Sequence, residues 1–507
     1  MSFAIELDGS SLTLEQVLAI AHDSAPVHIA DAARARVGAA RALVDEFAQR
    51  DEPTYGINTG FGNFAEVKIP AESLAELQTN LLRSHAAGVG DALPVPVVRA
   101  TMALRANVLA KGFSGIRLDT LELLVELLNR RVHPVVPSRG SVGASGDLAP
   151  LAHLALVLIG EGEAWNGHDR EPGAKALQNA GLTPTRLAAK EGLALINGTQ
   201  ASTALLGLST GVGERLARAA DIAAALSIDA LRGSTRPFDP RIHDARGFPG
   251  QRTSAANLLA LMADSPINAS HANCGRVQDA YSMRCAAQVH GAAREALAFA
   301  RRVFETEANA ATDNPMVFHE SGDIVSGGNF HGAPVAIASD VLCLGVTQLA
   351  TISERRCERL VNPALSGLPA FLTRHGGLES GLMMAQVTAA ALTSEVKTLA
   401  HPASTDSIPT SGNKEDHVSM SMAAGLKAAR AVELVRDVLA CELLCACAAI
   451  DLLHPLVSSA PLMRVHDFIR ARVPAFEHDR SLSPDLRTIS DVIVSGELER
   501  ACALKVN

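Results

Sequence analysis

Two long stretches with small apolar residues at helical spacing are the features that most constrain this fold. In the first, alanine and valine recur at alternating steps of three and four residues between Ala286 and Val303, as on one face of a helix. A second helical pattern covers residues 418–453, and a helix of that length would be about 54 Å long. Helices this long are typical of bundles, in which small residues along a seam allow close approach. The sequence therefore predicts a mainly α fold with a core of long helices.

The N-terminal half combines shorter helical patterns with long loops. These loops are rich in glycine, serine, asparagine and proline, and they hold most of the side chains capable of chemistry, as is usual where a scaffold presents a site. We therefore expect a loop-rich N-terminal lobe over residues 1–215 and a helical bundle core over residues 216–507, acting as one functional unit. The helical patterns are residues 31–49, 71–82, 97–109 and 121–129.

Composition and charge disfavour several classes of partner. The chain has 45 Lys and Arg against 54 Asp and Glu, a net charge of −9, and no basic block, which disfavours nucleic acid and anionic membranes. Aromatic residues make up only 3% of the chain, so surfaces for stacking bases are not expected. The apolar stretches 148–160 and 438–453 are too short or too interrupted by charge to predict a membrane span, and no signal peptide is evident. We expect a cytoplasmic protein.

Common nucleotide, zinc and hydrolase motifs are missing from the sequence. There is no phosphate loop and no H-E-x-x-H, and residues 210–215 contain G-x-G without the third glycine of a dinucleotide site. Position 147 is Asp where a hydrolase elbow requires Gly. The eight cysteines are scattered, so we expect reduced, packed thiols and no metal site.

The segment GSVGASGDLAP, residues 140–150, is a glycine-rich loop that leads into an apolar helix. Ser145 or Asp147 is expected to cap that helix, and Pro150 suits its first turn. The N–H groups at a helix start give this position a positive potential. Alone, Ala-Ser-Gly is an ordinary turn sequence, so its meaning depends on the residues around it.

Seven motifs along nearly the whole chain resemble the aromatic amino-acid ammonia-lyases, in that family's order. The resemblance implies that Ala144, Ser145 and Gly146 cyclise spontaneously into 4-methylidene-imidazol-5-one (MIO), an electrophile. The glycine nitrogen attacks the alanine carbonyl, and the serine hydroxyl is lost as water. The family's matching aspartate, here Asp147, is expected to assist. The motifs are YGINTGFG at 55–62, NLLRSHAAG at 80–88, NGTQ at 197–200, QDAYSMRC at 278–285, TDNP at 312–315, GGNFHG at 327–332 and DSIPTSGNKEDHVSM at 406–420.

The same resemblance assigns roles to residues in these motifs. Tyr55 is expected to be the general base for the β-proton, and Tyr281 to stand near the electrophile and manage the amine protons. The chain has only two tyrosines, and both lie in these motifs, which indicates that their hydroxyls are used. Substrate-binding roles fall to Arg284 for the carboxylate, Asn197 and Gln278 for the surrounding hydrogen bonds, and Phe330 for the pocket wall.

Substrate selectivity is expected to rest on Ser84, His85 and Glu415. A polar site suits an imidazole ring, which carries one hydrogen-bond donor and one acceptor, so the expected reaction removes ammonia from L-histidine to give trans-urocanate. Glu415 is also a candidate base for substrate protons. Lys414 and Gly412 depart from the Gln and Ala expected there, and the added cation beside Glu415 bears on the choice of substrate.

Three alternatives remain open at this stage. One is an aminomutase with the same electrophile, which moves the amine from the α to the β carbon. A second is a lyase for tyrosine or another aromatic amino acid, and a third is an inactive helical scaffold. For an active enzyme the resemblance further implies a homotetramer in which several subunits line each active site, with a small amino acid as the substrate.

Overall fold

The computed structural model describes residues 4–272 and 274–507, which are mostly helical and form two compact units. The first break falls after Leu208, close to the predicted boundary at residue 215. Two later segments, which the prediction assigned to the bundle core, pack with the first unit because their loops contact the N-terminal loops. The predicted pair of domains itself stays a prediction. The first unit comprises the chain up to Leu208, Ala300–Asp340 and Pro402–Leu426; the second comprises Ser209–Phe299, Val341–His401 and Lys427–Asn507.

Helices of moderate length make up most of the first unit. The tyrosine loop is anchored here, because Ile57 is fully buried in a cluster with Val44 of one helix and Val317 of a later strand. The helices are α1 (Leu14–His22), α2 (Asp31–Ala48), α3 (Leu74–His85), α4 (Val95–Ala110), α5 (Leu118–Asn129), α6 (Ala149–Leu158), α7 (Gly173–Asn179) and α8 (Glu191–Ile196), followed by the start of α9 (Gln200–Ala230).

Longer helices dominate the second unit. Boundaries between the units fall within α9 and within three later helices, at residues 299–300, 340–341 and 426–427. The remaining helices are α10 (Pro240–Arg246), α11 (Pro249–Leu261), α12 (Pro266–Ala269), α13 (Tyr281–Arg284), α14 (Ala286–Ala308), α15 (Ala333–Val361), α16 (Pro363–Ser366), α17 (Met383–Leu399), α18 (Ser421–Leu452), α19 (Ala460–Arg470), α20 (Ser483–Val494) and α21 (Glu497–Cys502).

Short strands complete the described structure. A parallel pair joins β1 to β2 with Ile5 opposite Val27, and the other pairs are antiparallel. The strand β3 pairs with β5, β4 and β7 flank β6, and β8 forms a hairpin with β9. Their bounds are β1 Ile5–Leu7, β2 Val27–Ile29, β3 Val89–Ala92, β4 His133–Pro134, β5 Pro137–Arg139, β6 Glu163–Asn166, β7 Asp169–Pro172, β8 Met316–Phe318 and β9 Asp323–Val325.

Small residues bring the long helices of the second unit together. A Cβ atom on Gly345 of α15 would lie 2.5 Å from the Cβ atom of Ala296 on α14. A Cβ atom on Gly213 of α9 would lie 2.5 Å from the side chain of Leu297. Both distances are shorter than any normal contact, so only glycine fits at these crossings. The prediction of a mainly α fold with closely packed long helices is therefore confirmed.

The helix α15 is the one helix in the described residues that is long and apolar enough to cross a membrane by length and composition. In its most apolar window, 72% of the residues are buried inside the protein. A long helix in a protein core shows the same combination of length, hydropathy and burial, so this finding alone gives little support for a membrane span.

A fully buried ion pair links three long helices of the second unit. Arg356 on α15 donates from Nη2 to Oε2 of Glu442 on α18 at 2.9 Å, and neither side chain is exposed. Ser227 on α9 donates to the other oxygen of Glu442 at 2.7 Å. The guanidinium also donates to the carbonyl of Ser282 at 3.3 Å. Since the charges are satisfied on several sides, their burial is tolerated, but loss of either partner leaves a charge without compensation.

We predict that Arg356→Met lowers the free energy of unfolding by about 3–5 kcal/mol, because Glu442 then remains buried without its counter-charge. Urea unfolding followed by circular dichroism measures the loss. The control is Arg430→Met, whose exposed ion pair with Glu395 is worth no more than about 1 kcal/mol. Equal effects of the two substitutions would contradict this account.

Candidate active site

The Ala144-Ser145-Gly146 segment is pressed against the turn that begins at Asn197. Gly146 has a φ of +71°, and a Cβ atom there would lie 2.4 Å from the carbonyl oxygen of Gly198. The N–H of Asp147 donates to that carbonyl at 2.7 Å, and the Asn197 side chain donates to the Ser145 carbonyl at 2.7 Å. Only glycine allows both the positive φ and this backbone approach.

A second contact holds the segment from its other side. Ser419 donates from its hydroxyl to the Gly143 carbonyl at 2.8 Å, and the N–H of Met420 donates to the Val142 carbonyl at 2.8 Å. Gly143 itself has a φ of +67°. Ser419 was not predicted as a site residue, although it lies in the last of the seven motifs. Hydrogen bonds thus hold the loop on both sides of Ala144.

The expected capping of α6 by Ser145 or Asp147 is wrong. Leu148, with a φ of +45°, occupies the N-cap position, and no side chain caps this helix. Asp147 instead turns toward α9 and accepts hydrogen bonds from the N–H groups of Ala201 at 2.7 Å and Ser202 at 2.9 Å. A carboxylate is well placed there because the first N–H groups of a helix lack partners within the helix.

Burial raises the pKa of Asp147 to about 6, although the hydrogen bonds from Ser202 and Ala201 oppose this shift. The carboxyl group is fully buried, and its Oδ1 atom has no hydrogen-bond partner among the described residues. It is therefore able to exchange a proton near neutral pH, in direct sequence contact with Gly146. This position supports the assisting role that the family resemblance implies for Asp147.

Glu415 accepts hydrogen bonds from three hydroxyl groups. Ser145 donates to its Oε1 atom in a short contact, while Thr410 and Ser411 donate to its Oε2 atom at 2.6 Å and 3.0 Å. The half-buried carboxylate thus lies directly beside the side chain of Ser145. Lys414, by contrast, is exposed, and no ion pair between it and Glu415 is observed among the described residues.

Tyr55 lies in the same unit, half-buried in its loop. Its ring meets the ring of Phe61 edge-on, with 6.4 Å between centroids. Burial raises the pKa of Tyr55, a hydrogen bond from the N–H of Gly62 lowers it, and the charge of Glu415 raises it further. The net direction is upward, so these contacts alone do not stabilise the phenolate that a general base requires.

Ser84 and His85 end the helix α3. The Nδ1 atom of His85 lies 2.9 Å from the carbonyl oxygen of Leu81, which only accepts hydrogen bonds, so Nδ1 carries the proton and Nε2 is free to accept. Burial lowers the pKa of His85, while Leu81 and Glu415 oppose that shift. The ring is therefore neutral near pH 7 and lies within electrostatic range of Glu415.

Gln278, Tyr281 and Arg284 belong to the second unit. Gln278 and Arg284 line one cavity of about 640 Å³, and the Arg284 guanidinium lies 4.5 Å from the centre of the Tyr281 ring. Tyr281 is 71% exposed, and the nearby Val277 is 96% exposed. Phe330, in the first unit, is half-buried in a glycine-rich loop. The roles assigned to these residues stay predictions.

The residues present fit the MIO group. Cyclisation requires the Gly146 nitrogen to approach the Ala144 carbonyl, and hydrogen bonds hold the backbone on both sides of Ala144. Asn197 would hold the oxygen that Ser145 contributes to the ring, since its amide donates to that carbonyl. Its own Oδ1 atom is buried without a partner among the described residues. No group of three or more potential metal ligands occurs in the described part of the chain.

Comparisons with known proteins identify the family of this chain. The model for the aromatic amino acid lyase family matches residues 12–471. The chain is 56% identical over 497 residues to the histidine ammonia-lyase of Stigmatella aurantiaca, covering 98% of each chain. The solved histidine ammonia-lyase of Trypanosoma cruzi is 44% identical with a TM-score of 0.92, covering 99% of this chain and 95% of that one. A tyrosine aminomutase of Streptomyces globisporus is 37% identical with a TM-score of 0.95, covering 100% of both.

The chain therefore belongs to the aromatic amino acid lyase family, a family of carbon–nitrogen lyases. This confirms the family that the motifs predicted. The MIO group is a property of that family, to which the geometry at Ala144, Ser145 and Gly146 conforms. An inactive scaffold is disfavoured, because relatives that are 54% to 57% identical over nearly the whole chain are histidine ammonia-lyases.

We predict that Asp147→Asn changes how stability depends on pH. The folded-state pKa of about 6 exceeds the usual 3.8, so between these values the folded protein keeps a proton that the unfolded chain has released. Asp147 therefore contributes stability below about pH 4 that is lost as the pH rises to about 6, a change of about 3 kcal/mol. Urea unfolding at pH 4, 5, 6 and 7 should show this decline in the wild type relative to the variant. Parallel pH profiles would contradict it.

Proposed function

We propose that this protein removes ammonia from L-histidine to give trans-urocanate. The observation that carries the proposal is the hydrogen bond from Ser145 to Glu415, with His85 in the same compact unit and within electrostatic range of that carboxylate. The names of the relatives support the same substrate, since the proteins of Stigmatella aurantiaca and Myxococcus xanthus are histidine ammonia-lyases 56% and 54% identical to this chain.

The MIO group supplies an electrophile that converts the substrate amine into a better leaving group. The chain's own residues bind and orient the amino acid around it. Glu415 accepts the N–H of the substrate imidazole or a proton from the substrate amine, and His85 contacts the ring edge through its free Nε2 atom. Asn197 fixes the Ser145 carbonyl. A neutral His85 beside a carboxylate leaves a polar pocket, which an imidazole fills better than a benzene ring does.

Tyr55 takes the β-proton of the substrate in this proposal. Its observed contacts raise its pKa, so the assembled site with substrate has to supply a cation or a further hydrogen bond that stabilises the phenolate. The loop places the hydroxyl within range of Glu415, and the buried Ile57 keeps the loop in position. Phe330 forms part of the pocket wall.

The remaining predicted site residues receive their roles in the assembled oligomer. We place Tyr281 beside the electrophile, Arg284 on the substrate carboxylate and Gln278 in the hydrogen-bond network, within a homotetramer whose subunits share active sites. Support comes from the high exposure of Tyr281 and Val277 in the single chain, which leaves their side chains available to a neighbouring copy. We also propose a cytoplasmic location, in keeping with the eight cysteines, none of which forms a disulfide in the described part of the chain.

A tyrosine aminomutase is the second candidate, favoured by the structural match to the Streptomyces globisporus enzyme. The two candidates differ in product: a lyase releases ammonia and a conjugated acid, whereas an aminomutase yields a β-amino acid. Incubation of the purified protein with histidine, tyrosine and phenylalanine separates them. We expect an ultraviolet-absorbing product from histidine alone, and a β-amino acid from any substrate would overturn the proposal.

We predict that Ser145→Ala abolishes nearly all turnover of histidine, because alanine has no hydroxyl to lose. The intact mass of the wild-type chain should be lower than the sequence mass by two water molecules, and the variant should lack the loss that the serine supplies. A variant with full activity would refute the MIO assignment, as would a wild-type chain of unaltered mass.

We predict that Glu415→Gln lowers kcat/KM for histidine by about 100-fold, because the amide no longer accepts a proton or pairs with a cationic group. The control is Asp416→Asn, which neutralises the adjacent, exposed carboxylate and should change the rate by less than about twofold. Steady-state assays of urocanate absorbance measure both. An unchanged kcat/KM in the Glu415→Gln enzyme would show that Glu415 has no role in the reaction.

A further inference from the structure

Arg105, on the helix α4, is fully buried beneath the turn that touches the MIO-forming segment. Its guanidinium donates from Nη1 to the side-chain oxygen of Gln200 at 2.9 Å, to the Thr312 carbonyl at 3.2 Å and to the Asn197 carbonyl at 3.4 Å. Its Nε atom donates to the Ala194 carbonyl at 3.0 Å. A single side chain therefore holds both ends of the turn formed by residues 197–200.

The opposite face of this turn bears directly on the reacting atoms. Gly198 contacts Gly146 through its backbone and accepts a hydrogen bond from the N–H of Asp147, while Asn197 donates to the Ser145 carbonyl. A Cβ atom on Gly198 would lie 2.3 Å from the Nη1 atom of Arg105. The turn is thus only one backbone thick, with the guanidinium on one side and the cyclising segment on the other.

Buried charges fix the guanidinium in turn. Asp313 lies 3.9 Å from Arg105 and 3.3 Å from Lys190, and all three side chains are almost completely buried. Gln200 donates to the Thr312 hydroxyl at 2.6 Å, which completes the ring of contacts around Arg105. Burial lowers the pKa of Arg105, but the carboxylates of Asp313 and Asp147 oppose that shift.

We propose that Arg105 is a positioning residue for MIO formation: it presses the 197–200 turn onto Gly146 and so brings the glycine nitrogen toward the Ala144 carbonyl. This inference rests on the proposed function. In the reaction the Gly146 nitrogen loses its hydrogen and forms a bond to the Ala144 carbonyl carbon. The carbonyl oxygen leaves as water with that hydrogen and the hydrogen of the Ser145 N–H, so that a C=N bond to the Ser145 nitrogen remains. Ser145 then loses its hydroxyl and its α-hydrogen as a second water. No oxidant is required.

Arginine suits this position better than lysine does. Its planar fork donates in several fixed directions at once, and here it reaches three backbone carbonyls and one side-chain oxygen. A lysine would keep the positive charge opposite Asp313 and Asp147 but would give up most of these directed bonds. The substitution Arg105→Lys therefore keeps the positive charge and tests the directed hydrogen bonds alone.

The test compares Arg105→Lys with Arg99→Lys. Arg99 lies on the same helix, is 2% exposed, and donates to the carbonyls of Ile20 at 2.8 Å and Leu128 at 3.1 Å, so it matches Arg105 without contacting the 197–200 turn. Soluble full-length protein is collected at successive times after a short induction. Intact-mass spectrometry then gives the fraction of chains that have lost two waters, and the Tm is recorded in parallel.

We expect Arg105→Lys to slow water loss by about tenfold or more, and Arg99→Lys to change it by less than about twofold at a comparable drop in Tm. Equal rates for wild type and folded Arg105→Lys would overturn the inference, as would equal slowing by both variants. A wild-type chain that never loses water would contradict the proposed function itself. If Arg105→Lys does not fold, Gln200→Leu, which removes the side-chain acceptor that Arg105 binds in the turn without altering charge, should show the same slowing.

Discussion

The backbone contact between Gly146 and Gly198 is the constraint on which this site depends. Two glycines, one with a positive φ, bring main-chain atoms closer than any side chain would allow. This close approach also sets the contacts of the neighbouring residues. Asn197 reaches the Ser145 carbonyl, and Asp147 reaches the first N–H groups of α9. The long helix α9 is thereby anchored to the reactive segment at its N-terminus, where its unpaired N–H groups need an acceptor.

Periodicity predicted the helical part of this fold closely, and its errors have local causes. The seam beginning at Ala286 is the helix α14, and the pattern expected over residues 418–453 is α18, which begins only at Ser421. The difference arises because the N–H of Met420 bonds to the Val142 carbonyl and Met420 has a φ of +56°. Apolar spacing continues through these residues, but their backbone serves the glycine loop instead of the helix.

The parts of the site that sequence reasoning missed are held by contacts distant in the chain. Asp147 looked like a cap for the helix that follows it, because caps are read from neighbouring positions, whereas its partners lie more than fifty residues away. Arg105 was not predicted as a site residue, because an arginine in a helical pattern is usually exposed to solvent. Composition also gave no sign that Ala300–Asp340 and Pro402–Leu426 would pack with the first unit. Family motifs supplied the residues of the site, and only the fold supplied their partners.

The position of Glu415 links substrate binding to the basicity of Tyr55. The carboxylate accepts a hydrogen bond from the Ser145 hydroxyl, so on the proposed function the substrate amine arrives beside it. Burial raises the pKa of Tyr55 most, and the negative charge of Glu415 raises it further, so both disfavour the phenolate. On the proposed function, an entering ammonium group offsets that charge or gives Glu415 a proton, and either event removes the part of the rise in the pKa of Tyr55 that Glu415 causes, while the part due to burial remains. Activation of Tyr55 as the base therefore also requires a contact that offsets its burial, and on the proposed function the assembled site supplies that contact.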